Sequence, residues 1–178
     1  MLNTAEQKII LIYARELLKA RLTDRPEPKL EVCCEAMERK HGIFVTLKLR
    51  GYLRGCIGHI RGQAPLRESI APMTLAAAFE DPRFPPLVLH ELEELKIHIS
   101  ILTEPVPVKS YKDIRAGTDG IIVTHGRKKG VYLPEVAVET GWGAKTFFES
   151  CALEKAGLTE RELRAASIEV FQTGGFGD

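Results

Sequence analysis

Residues 43–58, I-F-V-T-L-K-L-R-G-Y-L-R-G-C-I-G, constrain the fold more than any other stretch. They hold two alternating apolar segments with only a turn at Arg50-Gly51 between them. Strand side chains repeat every second residue, and so short a link joins strands only as an antiparallel hairpin. Register then decides which residues share a face. A two-residue turn at Arg50-Gly51 sets Leu47 opposite Arg54 and Val45 opposite Cys56. A three-residue loop, Leu49-Arg50-Gly51, shifts the pairing by one and gives Gly51 the last loop position, where a left-handed backbone is wanted. In that register Ile43, Val45 and Leu47 share an apolar side with Leu53, Gly55 and Ile57. Phe44, Thr46 and Lys48 share the other side with Tyr52, Arg54 and Cys56. This is the cleaner segregation and the expected one. It puts Arg54 and Cys56 on one polar face, about 7 Å apart along the strand.

The same periodicity marks L-K-I-H-I-S-I-L as a strand with Ile97, Ile99 and Ile101 inward. D-G-I-I-V-T-H and G-V-Y-L read as a second hairpin around the basic tip Arg127, Lys128 and Lys129, and S-I-E-V-F-Q reads as a final strand. Helices are expected over 5–21, capped by Thr4 or Asn3, over 30–39, and from Pro65 to about Glu80 with a kink or split at Pro72. Two more are expected, a short one from Pro134 to Gly141 and one over 144–156 closed by Gly157. Five or six strands and about five helices without regular β-α-β alternation indicate an α+β fold, a mostly antiparallel sheet flanked by helices. With 178 residues the chain fits a single domain over 1–178, or two small lobes sharing a core.

The 25 basic and 24 acidic residues leave a net charge of +1, so no global field favours nucleic acid or an anionic membrane. The start, M-L-N-T-A-E-Q-K, lacks the basic and apolar regions of a signal peptide, and no apolar run has membrane-spanning length. The expected location is the cytoplasm, where Cys33, Cys34, Cys56 and Cys151 remain thiols. None forms C-x-x-C, and no histidine pair has helical ligand spacing, so no metal or cofactor is expected.

The chemistry concentrates at Leu53–Gly58. A thiol becomes nucleophilic when a nearby cation favours its thiolate. Arg54 is expected to hold Cys56 in that state, with His59 transferring protons. Gly55 and Gly58 remove side chains, letting a ligand approach the backbone beside Leu53 and Ile57. Asp81 and Arg83, in the proline-fixed segment D-P-R-F-P-P-L, are candidates to clamp a small anionic substrate. Plainer readings stand beside these. Cysteine is often a small core residue, strand glycines often mark bulges or tight packing, and Arg83 suits a salt bridge. Trp142, between two glycines, reads as a packing anchor.

L-R-G-C-I-G at Leu53–Gly58 resembles the signature of a family named after the chromosomal region of Alport syndrome, intellectual disability, midface hypoplasia and elliptocytosis. Its prokaryotic members are called AmmeMemoRadiSam system protein A. F-V-T-L, G-Q-A-P-L-R-E-S-I, D-P-R-F-P-P-L, K-I-H-I-S-I-L, G-I-I-V, G-V-Y-L-P-E-V-A, G-W, F-F-E and K-A-G-L follow in family order. His98 stands where the resemblance implies an acidic residue. The resemblance implies an α+β fold of two unequal subdomains with the signature near the cleft between them. It implies association with a Memo-like protein and a radical S-adenosylmethionine protein, and no defined reaction. Three functions fit: an enzyme or covalent carrier using Cys56, a binding or adaptor protein whose partner lies against the signature, and an RNA- or nucleotide-binding module using Arg54, Arg61 and the basic tip. The near-neutral charge disfavours the third.

Overall fold

The computed structural model describes residues 2–178. It is an α+β fold carrying two four-stranded sheets, where the alternation alone suggests one. The chain forms two compact units. The first runs to Leu102 and regains Gly174–Asp178; the second is Thr103–Thr173.

The first unit opens with helix α1 (Thr4–Leu22), whose Asn3 side chain accepts from the Glu6 backbone N–H while Glu6 reaches back to the Asn3 N–H. The short helix expected over 30–39 shrinks to α2 (Glu35–Glu38). Strands β1 (Gly42–Leu49) and β2 (Tyr52–His59) form the hairpin, and α3 (Leu66–Phe79) packs across both. Pro72 does not split α3. Pro72 and Glu68, the residue four before it whose carbonyl a proline cannot serve, both lie on the exposed side of the helix. Strand β3 (Leu95–Leu102) pairs antiparallel with β1. The sheet order is β2-β1-β3-β8, with β8 being Thr173–Gly177. Ile43, Val45, Leu47, Ile97 and Ile99 are fully buried with Ile10, Leu18, Leu66 and Ile70 from α1 and α3.

The second unit contains β4 (Val106–Val108), β5 (Gly120–His125), β6 (Lys128–Tyr132) and β7 (Ser167–Phe171) in the order β4-β7-β5-β6. Helix α4 (Pro134–Thr140) ends at Gly141 with φ of 69°, as the Pro-to-Gly pattern requires. The helix expected over 144–156 begins as α5 (Ala144–Ser150) and continues as a turn of π-helix, Cys151–Lys155. Gly130 of β6 lies against this turn, where an added Cβ would meet the Cys151 carbonyl at 2.6 Å. Helix α6 (Glu160–Leu163) precedes β7. Trp142 packs against the core of this unit.

Strand β8 is the least legible element. T-G-G-F-G has little strand propensity, yet it pairs along β3. The Asp178 carboxylate accepts from the Ile97 N–H at 2.8 Å and from Arg15 at 2.7 Å, anchoring its end. Gly175 leaves room for His98, since a Cβ there would lie 2.6 Å from the ring Nε2.

Candidate functional site around Cys56

The hairpin register is neither of the two expected. Arg50 and Gly51 form a two-residue turn with φ of 51° and 85°, and Leu49 pairs with Tyr52. Arg50 is anchored outside the turn by Glu94, at 2.6 and 2.8 Å. Lys48 pairs with Leu53 and Leu47 with Gly55, so Arg54 is the extra residue of a β-bulge. Relative to the expected three-residue loop, turn and bulge each slip the register by one residue in the same direction, and a slip of two preserves the face. Cys56 therefore keeps the expected face, but lies opposite Thr46 instead of Phe44.

Arg54 does not hold the thiol. Its Nε and Nη2 donate to Glu91, both at 2.8 Å, Nη1 donates to the Pro85 carbonyl at 2.8 Å, and Nη2 also reaches the Pro86 carbonyl at 3.2 Å. Both charged side chains are largely buried, with 10% and 14% exposure. The Arg54 guanidinium beside Glu91 holds that carboxyl below its ordinary range. The bulge thus ties the hairpin to the segment after α3. Leu53 and Tyr52 remain exposed at the hairpin tip.

Cys56 is gripped instead by Asp81 and Arg83. β2 is the end strand of its sheet, and the Cys56 N–H and C=O point off its free edge. The N–H donates to Asp81 Oδ2 at 2.8 Å, and Arg83 Nη2 donates to the C=O at 3.1 Å. Arg83 also holds Asp81 through Nε at 2.9 Å and Nη2 at 2.7 Å. An acid and a base two residues apart thus satisfy the edge backbone as a neighbouring strand would. Asp81 is buried while the Arg83 side chain is 55% exposed, resting over the Phe84 ring. Hydrogen bonds from Arg83 and the Cys56 N–H hold the Asp81 carboxyl far below the usual carboxylate range, against the opposing effect of its burial.

That depression has a testable sign. A carboxyl with a lowered folded pKa adds stability that is present above its unfolded value of about 4 and is lost as pH falls through the folded value. Asp81→Asn lowers the urea midpoint at pH 7, and its gap to wild type narrows steadily as pH drops from about 4 towards 2. A gap independent of pH would remove the ionic role of Asp81.

The signature glycines serve packing. A Cβ on Gly55 would lie 2.0 Å from the Ala77 carbonyl of α3, and one on Gly58 would lie 2.1 Å from the Ile43 carbonyl. No space is left over them for a ligand. Ile57 packs into the core of the first unit. His59 alternates to the face opposite Cys56, and its Nδ1 is buried with no hydrogen-bond partner. The thiol's own neighbour is the Thr46 hydroxyl, with Sγ and Oγ1 3.3 Å apart. Cys56 is half-buried; Cys151 is fully buried, and that burial pushes its thiol up to about 12. Among the described residues no three His, Cys, Asp or Glu side chains converge on a metal-sized site.

Sequence reasoning did not find Glu91 or Thr46. Thr46 is the lone hydroxyl in F-V-T-L, and the register alone gives it a partner.

The AMMECR1 family profile matches residues 11–176, nearly the whole chain. The chain belongs to the AMMECR1 family. A protein of Methanothermobacter thermautotrophicus is 42% identical over 130 residues, 70% of this chain and 67% of that protein. A Methanocaldococcus jannaschii protein is 32% identical over 180 residues, covering 97% of this chain and 89% of its own length. The crystal structure of an uncharacterized Pyrococcus horikoshii protein has the same fold. Its TM-score is 0.84 at 28% identity, over 99% of this chain and 93% of that one. Among the described residues, no helix of this family member is long and apolar enough to cross a membrane.

Proposed function

We propose that this protein acts through Cys56, as a thiol-dependent enzyme or covalent carrier for a small anionic substrate. The observation that carries this reading is the clamp. It fixes the Cys56 backbone at a sheet edge and holds a half-exposed guanidinium beside a half-buried thiol. Burial of Asp81 locks the inner side of Arg83, and the exposed remainder is free to meet a carboxylate or phosphate. In the reactive step the thiolate sulfur bonds to an electrophilic carbon, and the leaving group departs with the bonding pair. The thiol proton has already passed to water. The four cysteines are unbridged, which fits a reducing compartment, and we assign the protein to the cytoplasm. The partners implied by the resemblance, a Memo-like protein and a radical S-adenosylmethionine protein, belong to the same reading.

Alkylation of the native protein tests it. Cys33 is exposed and serves as the reference, and Cys151 is the buried one. Iodoacetamide is expected to modify Cys56 about tenfold faster than Cys33 at pH 7, despite its lower exposure. Iodoacetate, carrying the substrate-like carboxylate, should gain a further preference for Cys56, and Arg83→Gln should remove about threefold of it relative to iodoacetamide. A Cys56 that reacts only after unfolding would end the thiol reading.

A second reading rests on a separate observation. Tyr52 and Leu53 at the hairpin tip, and Val88 and Leu89 after α3, are exposed apolar side chains on segments joined by the Arg54–Glu91 pair. Such a cluster suits a binding or adaptor protein.

A further inference from the structure

We infer that Thr46 is a positioning residue for Cys56, its hydroxyl donating a hydrogen bond to the thiolate and so stabilising the nucleophile. This rests on the thiol reading above. Thr46 and Cys56 are direct cross-strand partners. The backbone N–H and C=O of Cys56 go outward to Asp81 and Arg83, so the pair sits at a position without mutual backbone hydrogen bonds, where side chains stand closest. The observed 3.3 Å between Oγ1 and Sγ is the result. A strand threonine is stiff at its first side-chain torsion, so the hydroxyl is held there ahead of any reaction.

A hydroxyl suits both states of the thiol. It accepts from S–H and, by rotating its proton, donates to S⁻. The second bond is charge-assisted and the stronger of the two, so the contact favours the ionised form. The clamp brings both a cation, Arg83, and an anion, Asp81, to the Cys56 backbone, so their charges largely offset and the hydroxyl is the direct partner of the sulfur. Lys48 on β1 and Lys96 and His98 on β3 share the face by alternation. His98 is paired with Thr46 on its other side, and its ring lies over Gly175 and Gly177 of β8. The Cys56–Thr46 contact runs across two strands already locked by sheet hydrogen bonds, so its geometry is independent of any loop.

The experiment compares Thr46→Val, Thr46→Ser and wild type by the rate of Cys56 alkylation with iodoacetamide, at pH 7 and at about pH 10, where accessible thiols are ionised. Thr46→Val is expected to slow the reaction about fivefold at pH 7 and to leave it unchanged at the higher pH. Thr46→Ser should stay within about twofold of wild type at both. Thr46→Ala replaces the valine variant if that fails to fold. Equal rates for wild type and the valine variant at pH 7 would overturn the inference and leave the thiol reading standing. Equal slowing at both pH values would also overturn it, marking Thr46 as a packing residue. A wild-type Cys56 slower than Cys33 removes the thiol reading and the inference together.

Discussion

Gly55→Ala is expected to unfold the first unit or to lower its stability by at least about 3 kcal/mol. The added methyl would lie 2.0 Å from the Ala77 carbonyl oxygen and 3.1 Å from its carbon. Both are backbone atoms of α3, so no side chain can rotate away. Relief requires moving a helix or a strand whose other face is fixed by fully buried Val45, Leu47 and Ile70. Gly143→Ala is the control. A Cβ there meets nothing within 4 Å and its φ is −76°, so only its role as N-cap of α5 is touched and the cost should stay within about 1 kcal/mol. Urea unfolding followed by far-UV circular dichroism is the measurement, because the single Trp142 reports only on the second unit. A Gly55→Ala protein as stable as wild type, but with an unreactive Cys56, would return this glycine to ligand approach.

Removing one partner of the Arg54–Glu91 pair has the next largest expected effect. Arg54→Ala or Glu91→Gln should each cost about 3 kcal/mol, the low end for a broken buried pair because both groups keep some contact with water. Arg54→Ala also strands the Pro85 and Pro86 carbonyls. The double variant should lose much less than the sum, since no uncompensated charge remains. Glu91 is held below its ordinary value, first by the hydrogen bonds from Arg54. This contribution is therefore present above the unfolded value of about 4 and fades as pH falls through the folded one. Double-mutant cycles in urea at pH 7 and pH 3 measure both. An Arg54→Ala protein of unchanged stability whose Cys56 has lost its reactivity would restore Arg54 to the thiol.

Much of this molecule was readable before its structure. Period-two alternation placed β1 and β3, whose burial alternates along the strand, while apolar β-branched runs placed β5 and β7. The capping residue of α1 and the Pro-to-Gly limits of α4 were legible because caps are local chemistry. D-P-R-F-P-P-L is legible as a proline-fixed loop, and its Asp81 and Arg83 do meet Cys56. The fold class followed from element order.

The partners of each polar group did not follow. Arg54 lies two residues from Cys56 in the chain, yet its charge is taken by Glu91, 37 residues on. Local spacing cannot signal a bulge, which adds one residue to one strand and changes every pairing beyond it. The two-residue turn at Arg50-Gly51 was the less favoured alternative, because without the bulge it segregates polar from apolar faces less cleanly. Strand β8 was missed because T-G-G-F-G owes its conformation to the β3 edge beside it.

The sequence by itself determined the longer strands and helices, which of their faces are apolar, and that a thiol, a carboxylate and a guanidinium lie in two short motifs. Only the tertiary structure decided that Asp81, Arg83 and Thr46 surround Cys56, while Arg54 and His59 turn elsewhere. The physical reason is one of range. Helix caps and strand faces are set by neighbours within a few residues, whereas a side chain's partner across a sheet depends on the summed register of every turn and bulge between them.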